Sequence, residues 1–425
     1  MPRVTLDQSA TRFVVDGESR FLLADTLWSA FNRPTWDEWR AYLRLRQRQN
    51  FNAVNINILS IEHDRSVSAG EHEPFALHAN GSPDLDRLDP AYFRRARAMA
   101  ELATAHGILP VLVVLWCNYV PGTWGAALSP HLVLTEEQTD RYVDLVIDTF
   151  ADLGVIFAAS GDDNFTDPRS AERYERVLRR LRAGAPRALL TLHPGVYVTQ
   201  PPQLTGSNLI DYYSYQAGHD EGWDVQAHEQ AASLRAMPVR RPVVSMEPCY
   251  EGHGYGKGRT GRHTAAHVRL ASWSSLLAGA GAGLGYGAHG VWSWHRPGEP
   301  FNGEHFSGTP FPAEVALRFD GAWDVGLLRR LVETHELFDL TARQDLVIDD
   351  LSGARFGLQS HPDRAALYLP HPLAVTIDLD LSAWHVECWN LAIRDRDHVT
   401  TTTEGGRTRI EQPDFLADSI YLFSR

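Results

Sequence analysis

Along most of the chain, short apolar runs alternate with segments whose apolar residues recur at helical spacing. The runs are FLLADT (21–26), AVNINIL (53–59), LPVLVVLW (109–116), VIFAAS (155–160), ALLTLH (188–193), LIDYYSY (209–215), PVVSME (242–247) and GVWSW (290–294). Their brevity and apolar continuity predict eight strands. Between them, Thr35 with Glu38 and Thr135 with Gln138 have the spacing of a capping box. Asp89-Pro90 and Asp167-Pro168 put an acceptor at the cap and proline in the first turn. Tyr174, Val177, Leu178 and Leu181 share one helical face, as do Phe93, Ala96, Ala100 and Ala103.

A strand-then-helix alternation repeated eight times predicts a closed (β/α)8 TIM barrel rather than a doubly wound sheet. No glycine-rich dinucleotide turn follows the first run. The link PGVYVTQPPQLTGSN after the fifth run is too rich in proline and glycine for an ordinary crossover helix. RVTLD and RFVVD near the start predict a small hairpin. The helical rhythm stops near residue 343, and alternating segments follow: ARFGLQS, AALYLP, AVTIDLDL, HVECWNL, HVTTTT and SIYLF, with a GG turn at 405–406. The expected organisation is therefore a barrel over 1–342 and a C-terminal β-sandwich over 343–425.

Composition narrows the partners. Among 425 residues, 53 acids stand against 40 bases, a net charge of −13, and no Lys/Arg run supplies a basic stripe. Nucleic acid and anionic membranes are excluded as partners on that ground. The longest apolar run, GILPVLVVLW, is too short to span a bilayer, and the first residues have no apolar signal core, so a cytoplasmic location is expected. Three cysteines far apart in sequence make neither a disulfide framework nor a zinc cluster. No cofactor or metal is expected, and a homo-oligomer is compatible with the surface. The excess lies in aromatics: 12 Trp and 14 Tyr, many beside Asn, Asp, Glu or His.

In a parallel barrel the chemistry sits where strands end. Those edges carry Asp25 and Trp28, Asn57, Trp116 and Asn118, Asp162 and Asp163, His193, Tyr215 and Gln216, Glu247 with Tyr250 and Glu251, and Trp292 and Trp294. Amides, acids and imidazole bind hydroxyls, and flat rings cover the C–H face of a sugar, so the expected substrate is a carbohydrate. Glycoside hydrolysis needs two carboxyl groups flanking the anomeric carbon. Asp162 and Glu247 are the best-placed pair, each closing an apolar run where an idle charge would be costly. Asp162 is expected to be the acid/base and Glu247 the nucleophile of a retaining reaction, with Asp163 able to share or replace the role of Asp162.

FLLADTLWSAF, RQNFNAVNINIL, SGDDN, VVSMEPCYEG and GAGAGLGYGAHGVWSW together resemble the apiosidase-like glycoside hydrolases, family 140, over roughly residues 12–340. The stretch VECWNLAIRD…PDFLADSIYLFSR is similar to the small β-domain, named for collagen binding, that follows this catalytic domain in many relatives. The family's Gly-Gly-Asp motif falls on Ser160-Gly161-Asp162 and its catalytic Glu on Glu247. Relatives commonly carry a basic residue where this chain has Asp163. The lack of an export signal and a rim crowded by Trp28, Trp116, Tyr215, Trp292 and Trp294 lead to the expectation of a pocket and exo action on short substrates, and the resemblance further implies a pentofuranosyl unit, apiosyl or arabinofuranosyl. The rival readings are a catalytically silent carbohydrate-binding barrel, a hexopyranoside-specific enzyme and a metal-dependent hydrolase on the same fold. His263 and His267 lack a third ligand and are expected on a solvated helix face, and EGHGYGKGRTGR (251–262) lacks phosphate-loop spacing and is expected to be a lid.

Overall fold

A computed structural model describes residues 4–61, 72–198, 200–256, 260–301, 307–349, 351, 353–359 and 363–425. Eight parallel strands form the central sheet: β1 (Leu22–Thr26), β2 (Ala53–Asn57), β3 (Leu109–Trp116), β4 (Ile156–Gly161), β5 (Leu190–Thr191), β6 (Tyr213–Gln216), β7 (Val243–Glu247) and β8 (Gly283–Tyr286). Their order is β5-β4-β3-β2-β1-β8-β7-β6. The two edges meet through side chains as well as backbone. The Asp211 N–H donates to the Leu190 carbonyl at 2.8 Å, the Thr191 hydroxyl to the Tyr212 carbonyl at 2.8 Å, and the Ser214 hydroxyl to the Leu192 carbonyl. Hydroxyl bonds thus complete the barrel at its shortest strand, beside the proline-rich link whose one helix among the described residues is Pro202–Thr205.

The flanking helices begin where cap chemistry places them. Helix α1 (Trp36–Arg48) and α3 (Glu136–Phe150) carry complete capping boxes at Thr35 and Thr135. Helix α2 (Pro90–Ala105) and α4 (Pro168–Gly184) are capped by Asp89 and Asp167 with proline in the first turn. Helices α5 (Trp223–Arg235), α6 (Ala265–Leu277) and α7 (Gly321–Thr334) complete the ring. Two expectations change. GVWSW is not a strand: the eighth strand lies upstream at Gly283–Tyr286, and Val291–Trp294 forms turns above it. His263 is buried ahead of α6, and the His267 ring accepts from the Thr264 N–H at the helix start, so this pair is no solvated helix face.

The N-terminal residues form a three-stranded antiparallel sheet (Val4–Leu6, Phe13–Val15, Glu18–Arg20), one strand more than the expected hairpin. C-terminal to the barrel, a six-stranded sheet begins at Leu340 and a three-stranded sheet packs on it. The larger sheet is covered on both sides. Ala366, Tyr368, Ile420 and Leu422 join the barrel core, while the alternate residues Ala365, Leu367, Tyr421 and Phe423 join the sandwich core. Period-two alternation therefore fastens the sandwich to the barrel through one face of one sheet.

Candidate active site

Glu247 ends β7 and is buried. His193 Nε2 lies 3.0 Å from its Oε2, and His219 Nε2 lies 3.2 Å from its Oε1. An ionised carboxylate only accepts, so both imidazoles donate. Burial works to raise the Glu247 carboxyl, but the hydrogen bonds from His193 and His219 outweigh it and hold the pKa at about 2. Tyr250 sits in the same cluster. Its ring lies 4.4 Å from that of His219, and burial, then the Glu247 charge, pushes its hydroxyl well above the usual range.

Asp162 follows β4 and is half-buried in the left-handed region at φ 53°. Asp tolerates this conformation better than most residues, and strained positions gather at functional sites. The Asp162 N–H donates to the His193 carbonyl at 2.9 Å, and the Trp124 indole N–H donates to the Asp162 carbonyl at 2.7 Å. Glycine is required on both sides. A Cβ at Gly161 would enter the Trp116 ring, and one at Gly195 would strike Asn164 and stand 3.3 Å from Asp162 Oδ1. The Asp162 carboxyl therefore lies over Gly195, just past the end of β5.

An aromatic patch adjoins the acids. Trp28 and Trp116 meet edge to face at 5.3 Å, and the His193 ring lies 5.7 and 5.8 Å from them. Asn55 reaches across the barrel interior to the Met246 carbonyl at 3.5 Å, so Asn57, two residues on, points inward at the mouth. Its amide has no partner among the described residues. The same holds for Thr26 Oγ1, Trp116 Nε1, His193 Nδ1, Gln216 Oε1 and the Tyr250 hydroxyl. Buried polar atoms rarely stay unpaired. Six side chains at the ends of β1, β2, β3 and β6 and just past the ends of β5 and β7 thus hold a set that hydroxyl groups or water would complete.

Several expected site residues lie elsewhere. Asp25 points out of the barrel to Arg46 at 2.7 Å and Tyr42 at 2.8 Å on α1. Glu251 accepts from the Tyr286 hydroxyl at 2.7 Å and the Gly321 N–H at 2.9 Å. Asp163 is buried beside Ser170 of α4, and burial raises its pKa. Asn118 ties its own loop to Gly125 and Ser129, and Tyr215 donates to the Ala227 carbonyl on α5 at 3.0 Å. Trp294 packs edge-on against Tyr42 of α1, at 6.1 Å, whereas Trp292 bonds His289 and accepts from the Ser29 N–H after β1. The sequence reading missed His219, His253, His289 and Trp124. The His253 ring lies 4.3 Å from His219 and 5.0 Å from His289, continuing the cluster outward. No group of three or more His, Cys, Asp or Glu among the described residues is arranged to hold a metal ion. Residues 257–259 of the glycine-rich loop expected as a lid lie outside the described residues.

A parallel barrel with an anionic glutamate at the end of its seventh strand, an aspartate past the fourth and an aromatic mouth defines the class of glycoside hydrolases. Within that class the chain belongs to the apiosidase-like family: the sequence profile "Apiosidase-like, catalytic domain" matches residues 8–339. A solved structure described as a glycoside hydrolase is similar in fold, with a TM-score of 0.81 at 16% identity over 99% of this chain and 96% of the other. A glycoside hydrolase family 5 protein from Bacteroides vulgatus ATCC 8482 gives 0.81 at 18% identity, over 99% and 93%. The endo-1,4-beta-mannanase from Rhizomucor miehei is more distant, at 0.51 and 10% identity over 76% and 99%. No curated protein matches the chain. No helix among the described residues is long and apolar enough to cross a membrane.

Proposed function

We propose that the protein is a retaining glycosidase that removes a terminal pentofuranosyl unit from short glycosides, with Glu247 as nucleophile and Asp162 as acid/base. The observation that carries the mechanism is the pair of imidazole donors on Glu247. A general base works best with a pKa near the working pH. A carboxylate held at about 2 is a poor base toward water but stays fully ionised for attack on carbon. In the first step a Glu247 oxygen bonds to the anomeric carbon while Asp162 gives its proton to the departing glycosidic oxygen. In the second, Asp162 takes a proton from water, the water oxygen bonds to the anomeric carbon, and Glu247 leaves as the carboxylate.

Family membership supports a furanoside, apiosyl or arabinofuranosyl. The edge-to-face pair Trp28 and Trp116 beside the His193 ring supports a pocket for a chain end in place of an open groove. The decisive experiment combines a panel of nitrophenyl furanosides and pyranosides with Glu247→Gln. Turnover confined to a pentofuranoside, an anomer released with retention, and loss of at least about 10³-fold in Glu247→Gln are expected. Inversion in early-time NMR, or near-normal turnover by the variant, overturns the mechanism. Activity on hexopyranosides alone overturns the substrate.

A further inference from the structure

A second concavity lies on the flank of the molecule, between the last turn of α1, the outer face of α7 and the turn after Asn390 in the C-terminal sheet. Its volume is about 620 Å³, within the usual range for small-ligand sites, and its lining includes Arg48, Gln49, Trp323, Arg330, Glu333 and Arg394. Three guanidinium groups face one carboxylate in a protein whose net charge is −13.

The single carboxylate is already engaged, since Glu333 accepts from the Phe21 N–H and from Arg329 at 3.1 Å each. Arg394 is paired with Asp324 at 2.7 Å. Arg48 and Arg330 have no ion-pair partner among the described residues, and Arg330 is steadied over the Trp389 ring at 5.8 Å. Arg48 in the last turn of α1 suits the helix dipole, but that does not account for Arg330 on α7, whose guanidinium lies over Trp389 of the C-terminal sheet. The unpaired groups that reach the surface, Arg48 and Arg330, are donors, and they call for an acceptor-rich anion. Trp323, on α7 with Arg330 and also lining the cleft, is 40% exposed. Its indole offers a flat apolar face, which a bare inorganic anion cannot use.

We propose that this cleft is a second saccharide-binding site, separate from the barrel mouth, which takes an acidic sugar of the hexuronate class. The indole of Trp323 covers the C–H face of the ring, and Arg48 and Arg330 hold its carboxylate. The site rests on the glycoside hydrolase class of the protein and is independent of the roles given to Asp162 and Glu247.

The test is calorimetric titration of the intact protein with a hexuronate trisaccharide, its carboxyl-reduced neutral counterpart and inorganic sulfate, with Trp323→Ala, Arg48→Gln and Arg330→Gln alongside. Saturable binding of the hexuronate is expected, weakened about tenfold or more by each substitution and by added salt. Turnover of small nitrophenyl glycosides and the melting temperature should stay unchanged. Absence of saturable hexuronate binding overturns the proposal, as does binding indifferent to all three substitutions. Equal affinity for the neutral trisaccharide removes the role of the arginines, and equal affinity for sulfate removes that of Trp323. Either result overturns the assignment.

Discussion

The backbone N–H of Tyr250 donates to Nδ1 of His219 across 3.2 Å, and this bond decides which face of the imidazole Glu247 meets. With Nδ1 accepting, the ring proton of neutral His219 must sit on Nε2, the atom 3.2 Å from Glu247 Oε1. The His219 carbonyl is itself held, by His263 Nε2 at 2.7 Å. Backbone and side chain of His219 are both fixed, so its donor arrives with little freedom left to lose.

Removal of that donor should show in the pH profile. His219→Leu leaves Glu247 with the His193 bond alone, so its pKa should rise and the acid limb of kcat/KM should move up by on the order of one pH unit. His219→Gln keeps an N–H near the Nε2 position and should restore part of the shift. An acid limb unmoved in His219→Leu would refute the donor role.

Asp162→Asn should discriminate between leaving groups. Loss of the acid should lower kcat/KM on alkyl glycosides by about 10²- to 10⁴-fold. Nitrophenyl glycosides, whose leaving oxygen needs little protonation, should suffer far less in the glycosylation step. Equal losses on both would point to a structural part for Asp162, whose φ of 53° would then reflect loop geometry alone.

Much of this arrangement is legible in the sequence because its determinants are local. Capping boxes at Thr35 and Thr135 depend on residues three apart, and an acid closing an apolar run marks Glu247 without any knowledge of the fold. The eighth strand is not legible in that way. Gly283 and Gly285 make it look like a loop, yet glycine is there because a Cβ would collide with the backbone of Leu22 and of Met246 on the neighbouring strands. Alternation places Asp25 on one face of β1 but does not say which face, and only the meeting with Arg46, 21 residues on, turns it outward. His219 lies in a polar loop beyond β6, and its meaning depends on Glu247, 28 residues away.

Asp25→Asn tests that outward placement. It leaves Arg46 buried with no counter-charge, a change that destabilises by about 3–5 kcal/mol. The melting temperature should fall sharply, while kcat and KM of the remaining folded enzyme stay near those of the parent. A selective rise in KM at unchanged stability would put Asp25 back at the substrate.

Glu251 should make stability depend on pH. Burial, only partly offset by Tyr286 and Gly321, raises its pKa to about 7. The folded state therefore holds a proton that the unfolded chain releases near pH 4.5. Its contribution is full below pH 4.5 and declines as pH rises to 7, by an amount on the order of 3 kcal/mol. Glu251→Gln cannot ionise, so its melting temperature should fall less than the parent's between pH 5 and 8. Parallel curves would contradict the assignment.

The junction of barrel and sandwich offers a prediction with a different sign structure. Arg269 on α6 grips Asp418 with Nε at 2.8 Å and Nη2 at 2.7 Å, and it reaches Asp324 with Nη1 at 2.8 Å. Asp324 also accepts from Arg394 at 2.7 Å, and Asp418 from the Tyr368 hydroxyl at 3.1 Å. Two acids and two arginines thus alternate in a buried chain that joins α6, α7 and the C-terminal sheet. Arg269→Leu leaves Asp418 without its arginine and Asp324 with Arg394 alone, so the Asp324 carboxyl, already raised by burial, should titrate higher still in the folded protein. Groups of that kind stabilise below the unfolded pKa and lose the contribution as pH rises. The variant should therefore be less stable than the parent at pH 8, by about 3–5 kcal/mol, and should recover much of the difference at pH 5. Thermal melts of both proteins at the two pH values decide the matter, and an equal deficit at both would mean that packing around the Arg269 stem, and not the charge chain, fastens the two domains.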